Sequence, residues 1–411
     1  MEFGPLIKYY RTQHGLTQKE LAAGICSVPH LSKIEGNSKE ANQETLKLLL
    51  ERLGIDQEEI QGHEGQIKEQ LTELNELIDY HLKEEASELM EKMKEMENVI
   101  PFSSSLYLYE LTKLRYFIFT EQLEEAQQQK EMLNKQKKNF SQHENSLFRY
   151  LNAVLLLKKG NNQKAEELLE DLLNCWNDVV DRGELYYHLT LTKTSSDKVG
   201  YAIFFGNQAI QSFKNSHNFI RILHTLMVMA LNYTHSKIYQ EALNCYQHLI
   251  RNLSLLDNTM MKATVYQNMG YLQERMNEVS KAKIYYRKSL ELQEPNSYNY
   301  LIALFSIGET EFYLDESTAK QTFIKVRELA KKLEIKRYQI LATYYLLAIE
   351  SPEKSVEYLE TKVLPAVDGY NVYTVDQSKF YKLLYDHYRN IGNAEKAVLY
   401  LEKLTKGEEE R

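Results

Sequence analysis

The chain is 411 residues long, with 43% apolar residues and a net charge of −8. Its 6 prolines and 16 glycines are few breakers for this length, so long helices with short turns are predicted. The three cysteines, Cys26, Cys175 and Cys245, lie far apart without a CxxC, which argues against a disulfide or zinc framework. The N-terminus lacks the apolar segment of a secretion signal and no stretch reaches membrane-spanning length, so a cytoplasmic protein is expected.

The charge is unevenly distributed along the chain. Residues 3–39 hold five basic residues against two acidic ones, a local net charge of +3, and the acidity lies downstream. The basic residues are Lys8, Arg11, Lys19, Lys33 and Lys39, and the acidic ones are Glu20 and Glu35. A mildly basic head on an acidic body is typical of a protein that contacts phosphate at one end only.

The first 55 residues carry the pattern of a small helical domain. Apolar spacing predicts a first helix over residues 3–13, and Gly15 is suited to end it. Thr17 is the predicted N-cap of a second helix. Glu20, three residues later, completes the pattern of a capping box.

A short turn at residues 25–26 leads into a third helix, in which Ser27 is the predicted N-cap and Pro29 lies in the first turn. Leu31 and Ile34 are its predicted core positions. In a helix-turn-helix the N-terminal part of this helix enters the major groove of DNA. The predicted DNA-binding residues are Gln18, Ser27, Val28, Pro29, His30, Ser32 and Lys33.

The outward side chains of this helix have the chemistry for reading DNA. His30 and Ser32 are suited to hydrogen bonds with base edges, and residues 28–29 to contact with a thymine methyl group. Lys33 is suited to a phosphate or a guanine, and Gln18 to a phosphate at the start of the second helix.

A fourth helix, predicted over residues 43–53, closes the domain. Glu35 is expected to bond a neighbouring helix rather than DNA. The alternative interpretation is a small helical bundle that does not contact DNA.

Small residues recur through the rest of the chain at intervals of 37 to 41 residues. The positions in this register are Ala86, Ala126, Ala165, Ala202, Ala242, Ala282, Ala319, Val356 and Ala397. Most stand early in a helix after a polar turn, as in GNNQKAEELLEDLL and KIYQEALNCYQHLI. This is the two-helix tetratricopeptide layout, in which each pair buries its remaining face on the next to give a superhelix. The predicted fold class is therefore all-α, with a helix-turn-helix domain at 1–55, a linker at 56–66, about nine helix pairs of a right-handed superhelix at 67–406 and a tail at 407–411.

Such an array has a concave face lined by the first helix of each pair, which typically holds an extended peptide or a helix. Asparagine side chains suit that role because one amide bonds both a backbone N–H and a C=O. Extrapolating the register gives the predicted peptide-binding residues Arg115, Tyr187, His188, His224, Asn232, Gln267, Asn268 and Tyr271. Arg115 is suited to pair with a carboxylate of the ligand. For each position the alternative is a packed or solvated side chain.

Motifs for catalysis and for cofactors are missing from the sequence. Neither GxxxxGK[ST] nor GxGxxG occurs, and His63-Glu64 lacks the second histidine of a zinc motif because Ile67 stands there. No cofactor, no metal and no enzymatic activity are expected.

The segment LTQKELAAGICSVPHLSKIE, followed by tetratricopeptide-like pairs, resembles the peptide-responsive quorum-sensing regulators of Gram-positive bacteria, the Rap, NprR, PlcR and PrgX group or RNPP family. The nine pairs look more like NprR than the shorter PlcR. The resemblance covers nearly the whole chain and implies a transcription regulator, with activation as the expected output. Its implied partners are promoter DNA, a short signalling peptide bound in the repeat groove, and other copies of itself in a dimer or higher homo-oligomer. The peptide would change the assembly and so the spacing of the DNA-binding heads.

The resemblance also implies a second role. Rap proteins bind a sporulation response regulator and promote its dephosphorylation, with a glutamine placed near the aspartyl phosphate. Gln66 and Gln70 lie in the corresponding region of this chain. A peptide-inhibited phosphatase or sequestering protein is therefore the alternative function, either alone or as a second function. A repeat scaffold with a vestigial head is a third interpretation, which the intact outward residues of the third helix oppose.

Overall fold

The computed structural model describes residues 3–36, 42–54, 57–96, 100, 103–175, 180–256, 258–367 and 377–409. It divides into two compact units, Met1–Asp181 and Arg182–Arg411, and each is described by itself. The described residues form helices joined by turns, without a strand among them, and the predicted all-α fold class is confirmed. In these ranges no helix is both long and apolar enough to cross a membrane.

The first unit holds the N-terminal domain and three helix pairs. Its α-helices are α1 (Phe3–Gln13), α2 (Gln18–Ala22), α3 (Val28–Glu35), α4 (Gln43–Arg52), α5 (Gln57–Asp79), α6 (Lys83–Lys94), α7 (Leu106–Phe119), α8 (Leu123–Gln136), α9 (Gln142–Lys158) and α10 (Asn162–Asn174).

The start and stop signals of the N-terminal domain act as the sequence predicts. Gly15 ends α1 with a φ of +68°, a conformation that costs glycine little. Thr17 caps α2 in a capping box, in which the Thr17 N–H donates to Glu20 at 2.6 Å and the Glu20 N–H donates back at 3.2 Å. Ser27 caps α3 by accepting from the His30 N–H at 3.3 Å. These local predictions are confirmed because a cap needs only residues within one turn.

The four helices of this domain enclose a core of their own. Its buried members are Ile7, Leu21, Ala22, Leu31, Ile34, Leu46, Leu49, Leu50 and Leu53.

The segment predicted as a linker is helical from Gln57 onward, because α5 begins there. Ile67, Leu71 and Leu74 are fully buried at helical spacing and anchor α5 from the inside. A glycine in a helix costs about 1 kcal/mol relative to alanine, which such packing outweighs. Gly65 meets nothing within 4 Å, so it lies on an open side of the helix. Residues 57–66 are therefore helical, and the linker and the domain boundaries stay predictions.

The second unit contains six further helix pairs among its described residues. Its α-helices are α11 (Arg182–Ser195), α12 (Val199–Asn215), α13 (Phe219–His235), α14 (Tyr239–Leu255), α15 (Thr259–Arg275), α16 (Val279–Leu292), α17 (Tyr298–Tyr313), α18 (Ala319–Lys332), α19 (Lys336–Glu350), α20 (Pro352–Tyr358), α21 (Leu364–Val367), α22 (Gln377–Asn390) and α23 (Ala394–Glu409). A π-helical turn, Leu359–Val363, joins α20 to α21.

The turn inside a pair is built in the same way in eight of the nine pairs, the exception being α19–α20, where Ser351 has a φ of −152°. In the turn after α13, Lys237 has a φ of +62°, its N–H donates to Thr234 O at 3.2 Å, and the Ile238 N–H donates to Tyr233 O at 2.8 Å. This is the Schellman arrangement, which satisfies the last carbonyls of a helix. The corresponding left-handed residues are His81, Glu121, Gly160, Asp197, Lys237, Asn277, Asp315 and Gly392. A buried alanine follows five residues after each of them, or four after Asp315, and it packs the second helix tightly on the first.

Candidate functional site

The face of α3 that was predicted to read DNA is accessible. Val28 is 38% exposed, Pro29, Ser32 and Lys33 are exposed, and His30 is half-buried. Pro29, Ser32 and Lys33 lie within two turns of the helix start, so they share one patch of surface. Ser27 is exposed as well, but its hydroxyl is engaged as the N-cap.

Glu35 holds three helices of the N-terminal domain together. Its carboxylate, with a side chain only 2% exposed, accepts from Arg11 Nε on α1 at 2.6 Å and from Gln18 Nε2 on α2 at 2.8 Å. The expectation that Glu35 serves a neighbouring helix is confirmed. Gln18, which was predicted to bond a phosphate, is half-buried and its amide nitrogen already donates to Glu35.

The second unit contains a cavity of about 1520 Å³, lined mainly by the first helices of successive pairs, α13, α15, α17, α19 and α22. Of the predicted peptide-binding residues, Gln267, Asn268 and Tyr271 line it, and all three lie on α15. The register extrapolated from the small residues therefore brings these three side chains to one concave site.

The amide groups on α15 have hydrogen-bonding capacity left over. Gln267 Nε2 donates to Ser306 Oγ at 2.9 Å, while Gln267 Oε1 is buried without a donor among the described residues. Asn268 is half-buried in the cavity wall. A ligand with backbone N–H and C=O groups could use both amides.

Asn232 is turned away from the cavity, against the prediction. It is fully buried, and its Nδ2 donates to Thr194 Oγ1 on α11 at 2.7 Å and to Val228 O at 2.9 Å. Leu231 and His235 are the residues of α13 that line the cavity. Asn232 lies one position off that face, so it cross-links two helices instead.

Three further predicted residues, Tyr187, His188 and His224, do not line this cavity. Tyr187 and His188 surround a buried ion pair between Arg221 on α13 and Glu184 on α11. The Arg221 guanidinium lies 4.1 Å from the centre of the Tyr187 ring, and His188 Nδ1 is 2.8 Å from Glu184 O. Burial raises the pKa of the Tyr187 hydroxyl. Tyr187 and His188, which were predicted to bind a peptide, instead enclose this ion pair.

Arg115 lies in the first unit, where α5 supplies its partners. Arg115 Nη1 donates to Asn75 Oδ1 at 2.6 Å, and Nη2 forms an ion pair with Asp79. The carboxylate expected from a ligand is thus provided by the protein itself. On the same helix α5, Gln70 is buried, whereas Gln66 is exposed.

The charged wall of the cavity was not predicted from the sequence. Lys379 on α22 forms an ion pair with Glu309 on α17, and the Tyr345 hydroxyl donates to Glu309 Oε1 at 2.5 Å. Burial by itself would lower the pKa of Lys379, but the Glu309 carboxylate outweighs it and raises that pKa. The sequence signal was the pair of glutamates in the otherwise apolar helix segment LIALFSIGETEFY.

Glu274 is the second acid of this wall. It follows Gln267 and Tyr271 on α15 and accepts a hydrogen bond from the Tyr286 hydroxyl on α16. Burial, followed by repulsion from Glu309, raises the pKa of Glu274 to about 7.

Known proteins resemble both the N-terminal domain and the chain as a whole. Residues 7–60 match the helix-turn-helix family HTH_3. The chain is 23% identical to the transcriptional activator NprA of Geobacillus stearothermophilus over 91% of its own length and 100% of that protein. The chain is therefore similar to a helix-turn-helix family at its N-terminus and to this activator over nearly its whole length.

Solved structures of NprR share the fold of this chain. The apo form of the quorum sensor NprR from B. thuringiensis matches with a TM-score of 0.70 and 22% identity, over 84% of this chain and 99% of that one. NprR in complex with its cognate peptide NprX matches with a TM-score of 0.64 and 22% identity, over 83% and 99%. These likenesses show that this chain shares the fold of NprR, with a helix-turn-helix domain at residues 7–60.

Proposed function

We propose that this protein is a cytoplasmic transcription regulator that binds promoter DNA through α3 and a short signalling peptide in the cavity of the second unit. The observation that carries the proposal is the cavity itself, with the amides of Gln267 and Asn268 in its wall. The Gln267 amide oxygen in this wall is buried without a donor among the described residues, so a ligand N–H could satisfy it.

The exposed face of α3 supports the DNA-binding half of the proposal. A proline, a serine and a lysine project from one surface patch of a capped and well-anchored helix, next to a half-buried histidine. These are groups for base edges and phosphates, and they lie in the basic part of an otherwise acidic chain.

The size and polarity of the cavity support the peptide-binding half. About 1520 Å³ is more than the roughly 300–1,000 Å³ of a site for a drug-sized molecule. A peptide N–H directed at Gln267 Oε1 would satisfy that oxygen, and leaving it unpaired costs about 1–3 kcal/mol. The related NprR structure is a complex with a peptide, and the relative NprA is a transcriptional activator.

The switch is proposed to act through assembly. A peptide that binds one assembly of the protein more tightly than another shifts the population toward it. The spacing of two DNA-binding heads then changes, and with it the pair of half-sites that they can occupy. Activation of transcription is the proposed output.

The test uses the purified full chain, a mixed-sequence library of short linear peptides and a library of random DNA duplexes. We expect peptides to be retained, DNA sequences to be enriched, and the mass measured by light scattering to change when a retained peptide is added. His30→Ala with Lys33→Ala should abolish enrichment of DNA and leave peptide retention unchanged. Asn268→Ala should weaken peptide retention and leave DNA enrichment unchanged.

Failure of either library overturns the corresponding half of the proposal. If no peptide is retained, the Rap-like alternative becomes the hypothesis to test, through the loss of phosphate from a response regulator on mixing. Of the two glutamines in the corresponding region, Gln70 is buried, which counts against it, whereas Gln66 is exposed.

A further inference from the structure

We propose that the cavity selects peptides that carry a cationic group, a lysine or arginine side chain or a free α-amino group, and that Glu274 is the residue that binds it. This inference rests on the proposed function, because it names the chemistry that the peptide must bring to the same site.

Glu274 is placed to meet a ligand that contacts the amides of α15. Gln267, Tyr271 and Glu274 follow one another at intervals of four and three residues, so they lie on one face of the helix. All three line the cavity. A peptide held by Gln267 therefore passes directly over the Glu274 carboxylate.

The protein does not neutralise Glu274 itself. Glu309, the other acid of this wall, is paired with Lys379 and accepts from Tyr345. Glu274 has only a neutral donor, the Tyr286 hydroxyl. Among the described residues no lysine, arginine or histidine nitrogen lies within 4 Å of its carboxylate. Within this part of the chain the wall thus holds one matched ion pair, Glu309 with Lys379, and one carboxylate without an ion-pair partner. Lys237, Arg275 and Lys382 also line the cavity, but none of them is ion-paired with Glu274.

The groups that act on Glu274 come from several helices. Glu309 on α17 disfavours its negative charge, whereas Lys379 on α22, Tyr286 on α16 and the adjacent Arg275 favour it. Burial is the largest influence and raises the pKa of this carboxyl to about 7. A ligand cation would replace the hydration that the carboxylate has lost and keep it ionised. A neutral ligand group leaves Glu274 to take up a proton.

The closing experiment compares the wild-type full chain with Glu274→Gln and with the control Glu278→Gln, using the mixed-sequence peptide library. Glu278 lies four residues further on and its side chain is 49% exposed, so its loss tests charge without touching the cavity. We expect the wild type and E278Q to retain peptides enriched in lysine or arginine at one position, and E274Q to retain peptides without that enrichment.

A second measurement varies the ligand and needs no variant protein. A peptide retained by the wild type is compared with its copy in which the selected lysine is norleucine. We expect about tenfold or greater loss of affinity, the usual value of a hydrogen bond to a charged group. Binding of the lysine peptide near pH 7 should also release protons, measured by calorimetry in two buffers of different ionisation enthalpy, and E274Q should abolish that release.

The possible failures are distinct. Retention of peptides with no cationic preference in the wild type, or an equal preference in E274Q, overturns the role of Glu274 and leaves peptide binding standing. Retention of no peptide at all overturns the proposed function and this inference with it.

Discussion

The ring of Tyr286 on α16 rests directly against the backbone of α15 at Gly270. A Cβ at Gly270 would lie 2.8 Å from Cζ of that ring and closer still to two other ring atoms. Because the Tyr286 hydroxyl is the donor to Glu274, this glycine positions a group of the cavity one turn away. Gly270 is therefore a close-approach position and is not required for a turn.

Gly270→Ala should push the Tyr286 ring away from α15. Overpacking of this kind costs roughly 1–3 kcal/mol, and the hydrogen bond to Glu274 would be lost as well. We expect a lower melting temperature of the full chain together with weaker peptide retention. Gly200→Ala is the matched control, since a Cβ at Gly200 meets nothing within 4 Å and should change stability by less than about 1 kcal/mol. Equal melting temperatures for the two variants would contradict the close approach.

Glu35→Ala should loosen the N-terminal domain and abolish DNA binding without any change on the exposed face of α3. The substitution leaves Arg11, 14% exposed at its side chain, without its carboxylate. Breaking such a pair costs on the order of 3 kcal/mol. Hydrogen exchange at the amides of α1 to α3 in the full chain measures the effect. The control is Glu51→Ala, whose 3.9 Å pair with Lys47 is exposed and worth at most about 1 kcal/mol. Unchanged exchange in Glu35→Ala would show that the carboxylate does not anchor the domain.

The N-terminal domain shows which structural features can be predicted from the sequence. Helix bounds and caps of the N-terminal domain were predictable because Thr17, Ser27 and Gly15 act within one turn of the chain. The exposed positions of α3 followed from helical periodicity in the same way. Both kinds of signal are local.

The cavity could be predicted only in part because its chemistry is assembled from distant helices. Repeat register placed Gln267 and Asn268 in the concave wall. The register could not predict that Asp79 forms an ion pair with Arg115. Nor could it predict that Lys379 pairs with Glu309, which lies 70 residues away in the sequence. Which polar side chain is already paired depends on the neighbouring helix, and periodicity within one helix does not contain that information.

Asn232→Ala and Asn268→Ala should separate folding from binding, although both replace an asparagine on the first helix of a pair. Asn232 is fully buried and links α13 to Thr194, so its loss should lower stability by about 1–3 kcal/mol. Asn268 is half-buried in the cavity wall, so its loss should leave the melting temperature nearly unchanged and reduce peptide affinity. Melting curves and peptide titrations on the two variants measure both effects. The reverse pattern would place Asn232 in the groove and contradict the structure.

The stability of the second unit should depend on pH through Glu274. The folded state keeps a proton on this carboxyl up to pH about 7, whereas an unfolded glutamate loses it near 4.5. The stabilising contribution is therefore complete below pH 4.5 and is lost as pH rises through about 7, by up to roughly 3 kcal/mol.

Melting temperatures across that window measure this dependence. In the absence of peptide, the wild type and E278Q should lose stability relative to E274Q as the pH rises, because glutamine does not titrate. Parallel curves for all three proteins would mean that Glu274 ionises as an ordinary surface acid.

The turn that recurs inside eight of the nine helix pairs has a consequence for how such arrays change in length. The distance from the left-handed residue to the buried alanine is five residues in seven of the eight turns, although the repeats themselves vary from 37 to 41 residues. One residue inserted into this turn would rotate the second helix by about 100° and carry its alanine off the contact. An insertion between pairs leaves every such contact in phase. Changes in repeat length are thereby kept out of this turn, and whole pairs are the units by which an array of this type can gain or lose binding surface.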